Sequence, residues 1–400
     1  MIKSIREAFP ALGRPGFHYL DSAAMAQIPG MVSETIAHLN RTARSNVRRG
    51  LHEMARRADE AYDGARDSVG RFLNAPPEEV VFTGGCTLAL NMAAWGLGRN
   101  LGPGDEVVVS RLEHHSACLP WMALAKERGF ALRWLGVTPE GRLDLDGLGA
   151  VMTPRCKVVV ATHASNVTGA VSDLPRLAEA AHAVGALLVV DGAQMVPHGP
   201  VDPRALGADL YAFAGHKAYG PTGIGVLWGR AEVLAGMTPL VVGGGMVGTV
   251  EDDGFTLADP PHRFEAGTPP VAQAVGLAAA LDWMGGLDWQ AVRQQEASLT
   301  WHLLDGLRGM EGVRIVGPTG LEARVPVVSF TVAGCHPHDL AHLLAERGVA
   351  VRGGAHCARP LMSALGLEEG TLRASLAAYS DRADVDALLK ALGEAVKVLR

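Results

Sequence analysis

The segment "KVVVATHASNVTGAVSDLPRLAEAAHAVGALLVVDGAQ", residues 157–194, decides the fold class. Two short runs rich in β-branched residues, 157–162 and 186–191, flank a stretch of helical character at 174–185. A β-rich run, a helix-length connection and a second β-rich run are typical of a crossover unit, which joins two parallel strands. Because parallel strands need helices on both faces of their sheet, this segment predicts an α/β protein.

The same alternation extends from about residue 80 to residue 230 and predicts a mainly parallel sheet covered by helices. Beyond about residue 272 the pattern changes to long helical stretches and then to β-rich pieces, which predicts a smaller α+β domain. The 400 residues also exceed the usual single-core limit of roughly 250–300. We therefore expect an N-terminal segment (1–15) that packs with the small domain, a large domain (16–272) and a small C-terminal domain (273–400).

Composition excludes several function classes. The formal charge is −6, and no run of Lys and Arg is interleaved with aromatic residues, so nucleic acid is a poor candidate partner. The N-terminal stretch carries charges where a signal peptide needs an apolar run, and no apolar run approaches the length of a membrane span. The five cysteines lack paired metal-type spacing, which favours a reducing compartment. We expect a cytoplasmic protein without a membrane partner.

Polar residues follow several predicted strands at the edge of the sheet where ligands bind. In "VVFTGGCTLALN" (80–91) small residues precede Cys86, Thr87 and an apolar helix, an arrangement that suits a phosphate at a helix N-terminus. An ordinary strand-to-helix turn with Thr87 near the cap is the more common explanation of such a stretch. Asp191 directly follows an apolar strand, and a carboxylate there needs a partner, whether a ligand, a helix N-terminus or a structural cation.

Lys217 follows the apolar run "LYAFAGH" and precedes a glycine-rich loop. Desolvation lowers the pKa of lysine toward its nucleophilic form, although a single lysine is more often an ordinary surface residue. Together with the two preceding features, the position of Lys217 favours a reactive lysine over an ordinary surface one. A phosphate-binding turn, an acidic strand end and then a lysine are what pyridoxal 5'-phosphate requires, since the phosphate anchors it, the carboxylate pairs with its pyridine nitrogen and the amine bonds its aldehyde carbon.

Cys357 is a second candidate for chemistry. The stretch "RGGAHCARP" gives it a glycine-rich approach with Arg352, His356 and Arg359 nearby, and such an electropositive setting favours a thiolate. A buried structural cysteine is the alternative. The pairs His114 with His115, and His336 with His338, lack further ligands at metal spacing, so we expect no metal site.

Eight motifs in register closely resemble the class V aminotransferase-fold cysteine desulfurases of the group II type, which includes the sulfur-mobilising enzyme of iron–sulfur assembly and selenocysteine lyase. They are "YLDSAAMAQIP", "EHHSACLPW", "THASNVTG", "VDGAQ", "AGHKAYGPTG", "RFEAGTP", "VRGGAHCARPLM" and "LRASLAAY". The resemblance implies fold type I of the pyridoxal-phosphate-dependent transferases, with a seven-stranded, mainly parallel sheet. It also implies the cofactor, L-cysteine as substrate, and a homodimer with shared active sites.

The resemblance assigns a role to individual positions. Lys217 is the Schiff-base lysine, Asp191 the partner of the pyridine nitrogen, and Gln194 the donor to the ring phenolic oxygen. His114 stacks on the cofactor ring, and Cys357 receives sulfur as a persulfide. The phosphate is held by Cys86, Thr87 and His216, together with Thr268 of the other subunit. The substrate side is formed by Asn166, Arg373 and Arg352.

The implied reaction converts L-cysteine to L-alanine and passes the sulfur onward to an acceptor protein. A selenocysteine lyase or another C–S lyase of the same fold is the alternative, and a non-catalytic carrier that kept the fold is a further one. Several positions depart from the family pattern and place the acceptor and the preferred substrate in question: Arg48, Cys86, Ala117, Ala214, Ala355 and Ser380.

Overall fold

The computed structural model describes residues 2–400, with side chains from residue 5 onward. Met1, part of the predicted 1–15 segment, lies outside the described residues. The helices are α1 (Ile2–Glu7), α2 (Gly30–Thr42), α3 (Glu53–Leu73), α4 (Cys86–Gly98), α5 (His115–Arg128), α6 (Leu148–Val151), α7 (Leu174–Ala183), α8 (Ala231–Gly236), α9 (Val271–Gly285), α10 (Trp289–Arg308), α11 (Pro337–Glu346), α12 (Arg359–Ala364) and α13 (Arg382–Leu399).

The strands alternate with these helices through most of the chain. They are β1 (His18–Tyr19), β2 (Val80–Thr83), β3 (Glu106–Ser110), β4 (Ala131–Leu135), β5 (Cys156–Thr162), β6 (Leu187–Asp191), β7 (Leu210–Ala214), β8 (Gly225–Gly229), β9 (Val247–Glu251), β10 (Gly254–Leu257), β11 (Val313–Val316), β12 (Val327–Val332), β13 (Val349–Ala350), β14 (Arg352–Gly354) and β15 (Thr371–Ser375).

The central sheet has seven strands in the order β2-β8-β7-β6-β5-β3-β4. Only β8 runs antiparallel to its two neighbours, β2 and β7. The remaining pairs are parallel. The predicted α/β class with a mainly parallel seven-stranded sheet is confirmed.

Helices cover both faces of this sheet, and this explains why its inner strands, such as β5, are mostly apolar. In β5, Val159 packs into one hydrophobic cluster while Val158 and Val160 pack into the other. The first cluster contains α3 and α9 through Tyr62 and Leu277. The second contains α4 and α5, among others through Leu90 and Trp121. Successive side chains of a strand point to opposite faces of the sheet, and the helices on each face bury them.

The carboxyl ends of the parallel strands meet at one edge of the sheet. Thr162, the last residue of β5, lies beside Asp191 at the end of β6, and Asp191 lies beside Ala212 of β7. A short 3₁₀ turn, Gly215–Lys217, follows β7 directly. Local strand endings therefore bring Asp191 and Lys217 to the same edge, where ligands bind in sheets of this kind.

The C-terminal part contains a second, antiparallel sheet in the order β11-β12-β15-β14. Leu303 of α10, Leu340 of α11 and Leu388 of α13 form its core with the strands. Helix α9 instead belongs to the core of the large sheet. Near the N-terminus, the Arg6 guanidinium donates to the Asp384 carboxylate of α13. The predicted domain boundaries at 15/16 and 272/273 stay predictions.

Within residues 2–400, none of the helices combines the length and the apolar character that crossing a bilayer requires. The same residues contain no group of three or more His, Cys, Asp or Glu side chains arranged to hold a metal ion. All five cysteines are free thiols, and Cys357 is the exposed one.

Candidate active site

A cavity of about 790 Å³ opens at the carboxyl edge of the large sheet, between that edge and the loop that contains Cys357. Most of the residues predicted from the sequence line it: Cys86, Thr87, His114, Asn166, Asp191, His216, Lys217, Arg352, Cys357 and Arg373. These residues come from both sheets and are up to 287 positions apart, so the fold and not the chain order assembles the site.

Lys217 supplies the only amine in this cavity. Its ammonium group has no hydrogen bond or ion pair within residues 5–400. Burial lowers the pKa of Lys217 below its usual value, and the nearby Asp191 carboxylate opposes that shift. The lysine is therefore kept near the cavity without a permanent counter-ion, which is the condition for an amine that reacts or exchanges protons.

Asp191 faces the cavity from the end of β6, where it is 5% exposed. One carboxylate oxygen, Oδ1, accepts the Ala193 N–H at 2.9 Å and the Cys86 thiol at 3.5 Å. Burial raises the pKa of Cys86 well above its usual value, and Asp191 adds to that shift, so the thiol stays protonated as a donor. The Cys86 thiol thus donates a hydrogen bond to the Asp191 carboxylate. The backbone N–H of Cys86 lies in the first turn of α4.

The N-terminus of α4 is left open toward the cavity. Gly85 precedes the helix with φ 144°, and no side chain caps the first turn. Strand β8 passes so close that a Cβ on Gly225 would lie 2.6 Å from the Gly85 backbone, so only glycine fits there. The Thr87 and Ser116 hydroxyls lie 2.8 Å apart beside these N–H groups. Free N–H groups at a helix N-terminus favour an anion such as phosphate.

His114 contributes a neutral imidazole to the cavity wall. It caps α5, and its Nδ1 accepts the Ser116 N–H at 3.1 Å, so any proton on the neutral ring lies on Nε2. Burial is the main reason that the pKa of His114 falls to about 4, and Lys217 lowers it further. An uncharged, flat ring beside the lysine suits packing against an aromatic ligand.

Two arginines share one carboxylate on the opposite side of the cavity. Arg373 is buried, and its guanidinium donates to the Asn166 carbonyl at 2.9 Å and to Asp21 Oδ1 at 3.3 Å. Arg352 donates to Asp21 Oδ2 at 2.8 Å. The Nε of Arg373 is buried without a hydrogen-bond partner. Burial lowers the pKa of Arg373 to about 10, so this cation still holds an unused donor near neutral pH.

Cys357 lies in a turn that joins β14 to α12, and its side chain is exposed. Both His356 and Cys357 adopt the left-handed backbone conformation, with φ 51° and 55°. The Asn166 side-chain amide donates to the His356 carbonyl at 2.8 Å. Asn166, which the resemblance assigns to the substrate carboxylate, therefore already contacts the turn that presents the cysteine.

Two of the predicted site residues do not line this cavity. Gln194 lies behind its wall, where its amide donates to the Ala23 carbonyl at 2.8 Å. Thr268 is exposed and lines a separate surface pocket with Arg48. A single chain does not bring Thr268 to the cavity.

Sequence reasoning missed Asp21, Ser116 and the contacts of His115. Asp21 stands in the quoted motif "YLDSAAMAQIP", but its arginine partners lie 331 and 352 positions later, so no local signal could pair them. Ser116 was accessible in principle, because a hydroxyl two residues after His114 at a helix start is a capping pattern.

The donor set fits pyridoxal 5'-phosphate. An amine without a counter-ion suits the cofactor aldehyde, a carboxylate suits the pyridine nitrogen, and the uncapped α4 N-terminus suits the phosphate. The charged Arg373 also lines the cavity, on the side opposite to these groups. These features define the class of the protein as a pyridoxal-phosphate-dependent enzyme of an α/β fold.

Comparison with known proteins specifies the class further. The family model described as aminotransferase class-V matches residues 18–388. A probable cysteine desulfurase of Streptomyces coelicolor is 43% identical over 98% of this chain and 96% of the relative. The crystal structure of the cysteine desulfurase CsdA from Escherichia coli is 40% identical, covers 100% of this chain and 99% of its own, and superposes with a TM-score of 0.93. A cysteine desulfurase from Thermococcus onnurineus NA1 is 38% identical, covers 99% and 98%, and gives a TM-score of 0.94.

The chain belongs to the class-V aminotransferase family, within which it is a cysteine desulfurase. Pyridoxal 5'-phosphate is its cofactor and cysteine its substrate. The relatives carry the name cysteine desulfurase, so the alternative of a selenocysteine lyase is not favoured.

Proposed function

We propose that this cysteine desulfurase uses Lys217 to move protons at the substrate and Cys357 to accept its sulfur. The observation that carries the proposal is that the exposed thiol of Cys357 lines the same cavity as the Lys217 amine and the Asp191 carboxylate. One cavity therefore offers a cofactor-binding set on the large sheet and a nucleophile on the small one.

The substrate carboxylate is proposed to bind Arg373. The Arg373 side chain lines the cavity and remains charged, so a carboxylate gains a charge-assisted interaction there. Asp21 pairs with Arg373, and it also pairs with Arg352 at the cavity mouth. The substrate amine and its sulfur then extend from this anchor toward Lys217 and Cys357, which line the same space.

Lys217 is the proposed acid–base group. Because burial lowers its pKa, a larger fraction of the amine is neutral at a given pH than for an exposed lysine, and only the neutral form accepts the Cα proton at Nζ. The bound cofactor supplies a covalent anchor for the substrate amine and withdraws electrons from Cα. Asp191 would pair with the ring nitrogen of that cofactor, and the neutral imidazole of His114 would pack against its ring.

Cys357 completes the reaction by accepting sulfur. Its sulfur forms a new S–S bond to the substrate sulfur, and the bond from the substrate sulfur to its Cβ breaks with its electron pair retained on the carbon side. Protonation of that carbon gives L-alanine, and the enzyme keeps a persulfide, so cysteine plus thiol equals alanine plus persulfide. The exposure of Cys357 supports onward transfer to an acceptor protein.

The assembly is proposed to be a homodimer. Thr268, assigned to the phosphate by family resemblance, is exposed and absent from the cavity of its own chain, which supports a contribution to the other subunit. The five free thiols support action in a reducing compartment such as the cytoplasm.

The test compares the purified holoenzyme with Cys357→Ala and with Cys335→Ala, which removes a buried thiol from the small-domain core. Alanine released from L-cysteine is measured with and without a reductant, and the persulfide is located by mass spectrometry. We expect Cys335→Ala to release alanine and Cys357→Ala to lose that activity while keeping the cofactor absorbance.

Two outcomes would overturn the proposal. Alanine release by Cys357→Ala at the wild-type rate would remove Cys357 as the sulfur acceptor. Pyruvate or racemised cysteine as the main product would show that the site performs a different reaction. Activity of Cys357→Ala on selenocysteine alone would revive the lyase alternative.

A further inference from the structure

His115, the second residue of the histidine pair, is not accounted for by the proposed reaction. It is the first residue of α5 and does not line the cavity, in contrast to its neighbours His114 and Ser116. Its environment links it to the turn that contains Cys357, through both its backbone and its ring.

That turn is strained. His356 and Cys357 are consecutive residues other than glycine in the left-handed region, with φ 51° and 55°. Such conformations persist only where surrounding contacts hold them, and they cluster at functional sites. On the small-domain side, His356 Nε2 lies 3.0 Å from the Thr371 hydroxyl, and the buried Ala358 fixes the exit of the turn.

On the large-domain side, His115 makes two hydrogen bonds to the turn, one as a donor and one as an acceptor. Its backbone N–H donates to the Cys357 carbonyl at 2.7 Å, and its ring Nε2 accepts the Arg359 N–H at 3.2 Å. His115 begins α5, and Arg359 begins α12. The first N–H groups of a helix have no acceptor within their own helix, so both helix starts are satisfied by this exchange.

We propose that His115 is a positioning residue that holds the Cys357 turn against the large domain through this pair of hydrogen bonds. The bond to Arg359 fixes the residue after Ala358, the bond to the Cys357 carbonyl fixes the cysteine itself, and Asn166 fixes the preceding carbonyl. The thiol is thereby kept at the cavity while its side chain stays accessible from outside. This inference rests on the proposed role of Cys357.

The ring must be neutral to accept a hydrogen bond at Nε2, with its proton on Nδ1. Burial lowers the pKa of His115, and the positive charge of Arg359 lowers it further. Both effects favour the acceptor form at neutral pH, in agreement with the geometry.

The experiment uses two holoenzyme variants of similar polarity. Glutamine in His115→Gln places an amide oxygen near the position of Nε2, whereas asparagine in His115→Asn is one bond shorter and cannot reach Arg359. Hydrogen exchange is measured on the peptide that contains Arg359, without substrate. We expect exchange to be faster in His115→Asn by on the order of fivefold to tenfold, as for the loss of one net hydrogen bond, and near wild type in His115→Gln.

The same variants are then assayed for alanine formation. His115→Asn should lower kcat by a similar factor with an unchanged KM and unchanged cofactor absorbance, because the contacts of His115 involve neither Arg373 nor Lys217. His115→Gln should recover most of kcat. The exposed His342, changed to Asn, controls for the loss of a histidine elsewhere.

Unchanged exchange in His115→Asn, or equal damage in His115→Gln, would overturn the proposal, and so would an effect on KM alone. The hydrogen-exchange result does not depend on the chemistry. Full activity of Cys357→Ala would therefore refute the proposed nucleophile without affecting the measured contact between His115 and the turn.

Discussion

The cavity has two sides that are built in different ways. The lysine side consists of residues placed directly after strands of one sheet, as Asp191 after β6 and Lys217 after β7. The cysteine side consists of a strained turn whose position depends on contacts with distant parts of the chain. The first side is fixed by regular secondary structure, and the second by hydrogen bonds made only once both sheets have come together.

This difference matches what each side has to do. Residues that hold a cofactor benefit from the rigid register of adjacent strands. A thiol with the proposed role of accepting sulfur in the cavity and passing it to an acceptor protein must be accessible from the cavity and from the surface. Cys357 lines the cavity and is exposed. Changes on the lysine side are therefore expected to abolish chemistry, whereas those on the cysteine side are expected to reduce it by degrees, except for loss of the thiol itself.

The largest effect is expected for Lys217→Ala. Removing a positioned acid–base group typically costs roughly 10²–10⁴-fold in rate, and the loss of the amine should also remove the proposed covalent attachment of the cofactor. Steady-state alanine formation measures the rate, and the visible absorbance of the purified protein measures the attachment.

The matched control is Lys157→Ala, an exposed residue at the amino-terminal end of β5 that does not line the cavity. It should retain both the rate and the absorbance. Wild-type absorbance in Lys217→Ala would contradict the assignment of this lysine, whatever the rate.

The next effect concerns Arg373, which is proposed to bind the substrate carboxylate. Arg373→Lys removes the planar guanidinium that can pair with a carboxylate, so kcat/KM for L-cysteine should fall by roughly 10–100-fold, mostly through KM. The exposed Arg382, changed to Lys, is the control for the same exchange elsewhere.

Asp21→Asn sharpens this test, because it removes the carboxylate that Arg373 and Arg352 share. The guanidinium groups lose a competing anion, so KM for L-cysteine should fall, in the direction opposite to Arg373→Lys. An increase of KM in both variants would show that Asp21 orients Arg373 more than it competes with the substrate.

The sequence predicted the lysine side well, for a physical reason. Val158, Val189 and their neighbours form apolar runs because both faces of the sheet are covered, and the polar residue that ends each run marks the ligand edge. The position of Asp191 and Lys217 relative to the strands was therefore encoded locally.

The cysteine side could be predicted only in part. The residues around Cys357 indicated a reactive thiol, but nothing near residue 357 in the sequence reveals that Asn166 and His115 hold its turn. Asp21 was missed for the same reason, because its meaning depends on arginines that join it only in the folded chain. Long-range contacts of this kind have no local pattern.

The smallest effect is expected in the pH dependence of stability, to which His163 on one side and His356 on the other contribute. Burial lowers the pKa of His163, which lies behind Asp191 and contacts the Tyr211 hydroxyl at 2.9 Å, to about 4. Burial and Arg373 lower the pKa of His356, beside Cys357, to about 3. An unfolded histidine titrates near ~6.5.

Between pH 6.5 and these lower values the unfolded chain binds a proton that the folded chain does not, so stability falls as the pH falls. Each histidine contributes up to about 1.4 kcal/mol per pH unit to that slope. The free energy of unfolding in urea, measured at pH 7, 6 and 5 and at fixed protein concentration, should therefore show a shallower slope in His163→Gln and in His356→Asn. Asparagine tolerates the left-handed conformation of residue 356, so the second variant removes the titration without adding backbone strain.

The two variants also separate the two sides of the cavity. His163 is held by the sheet, so its contribution should persist in the holoenzyme with or without a substrate analogue bound. His356 belongs to the turn, so its contribution should shrink in His115→Asn, where the turn is freer to admit water and the imidazole can be protonated in place. A slope contribution from His356 that is identical in both backgrounds would contradict the dependence of the turn on His115, and an unchanged slope in His163→Gln would show that folding does not lower the pKa of this imidazole.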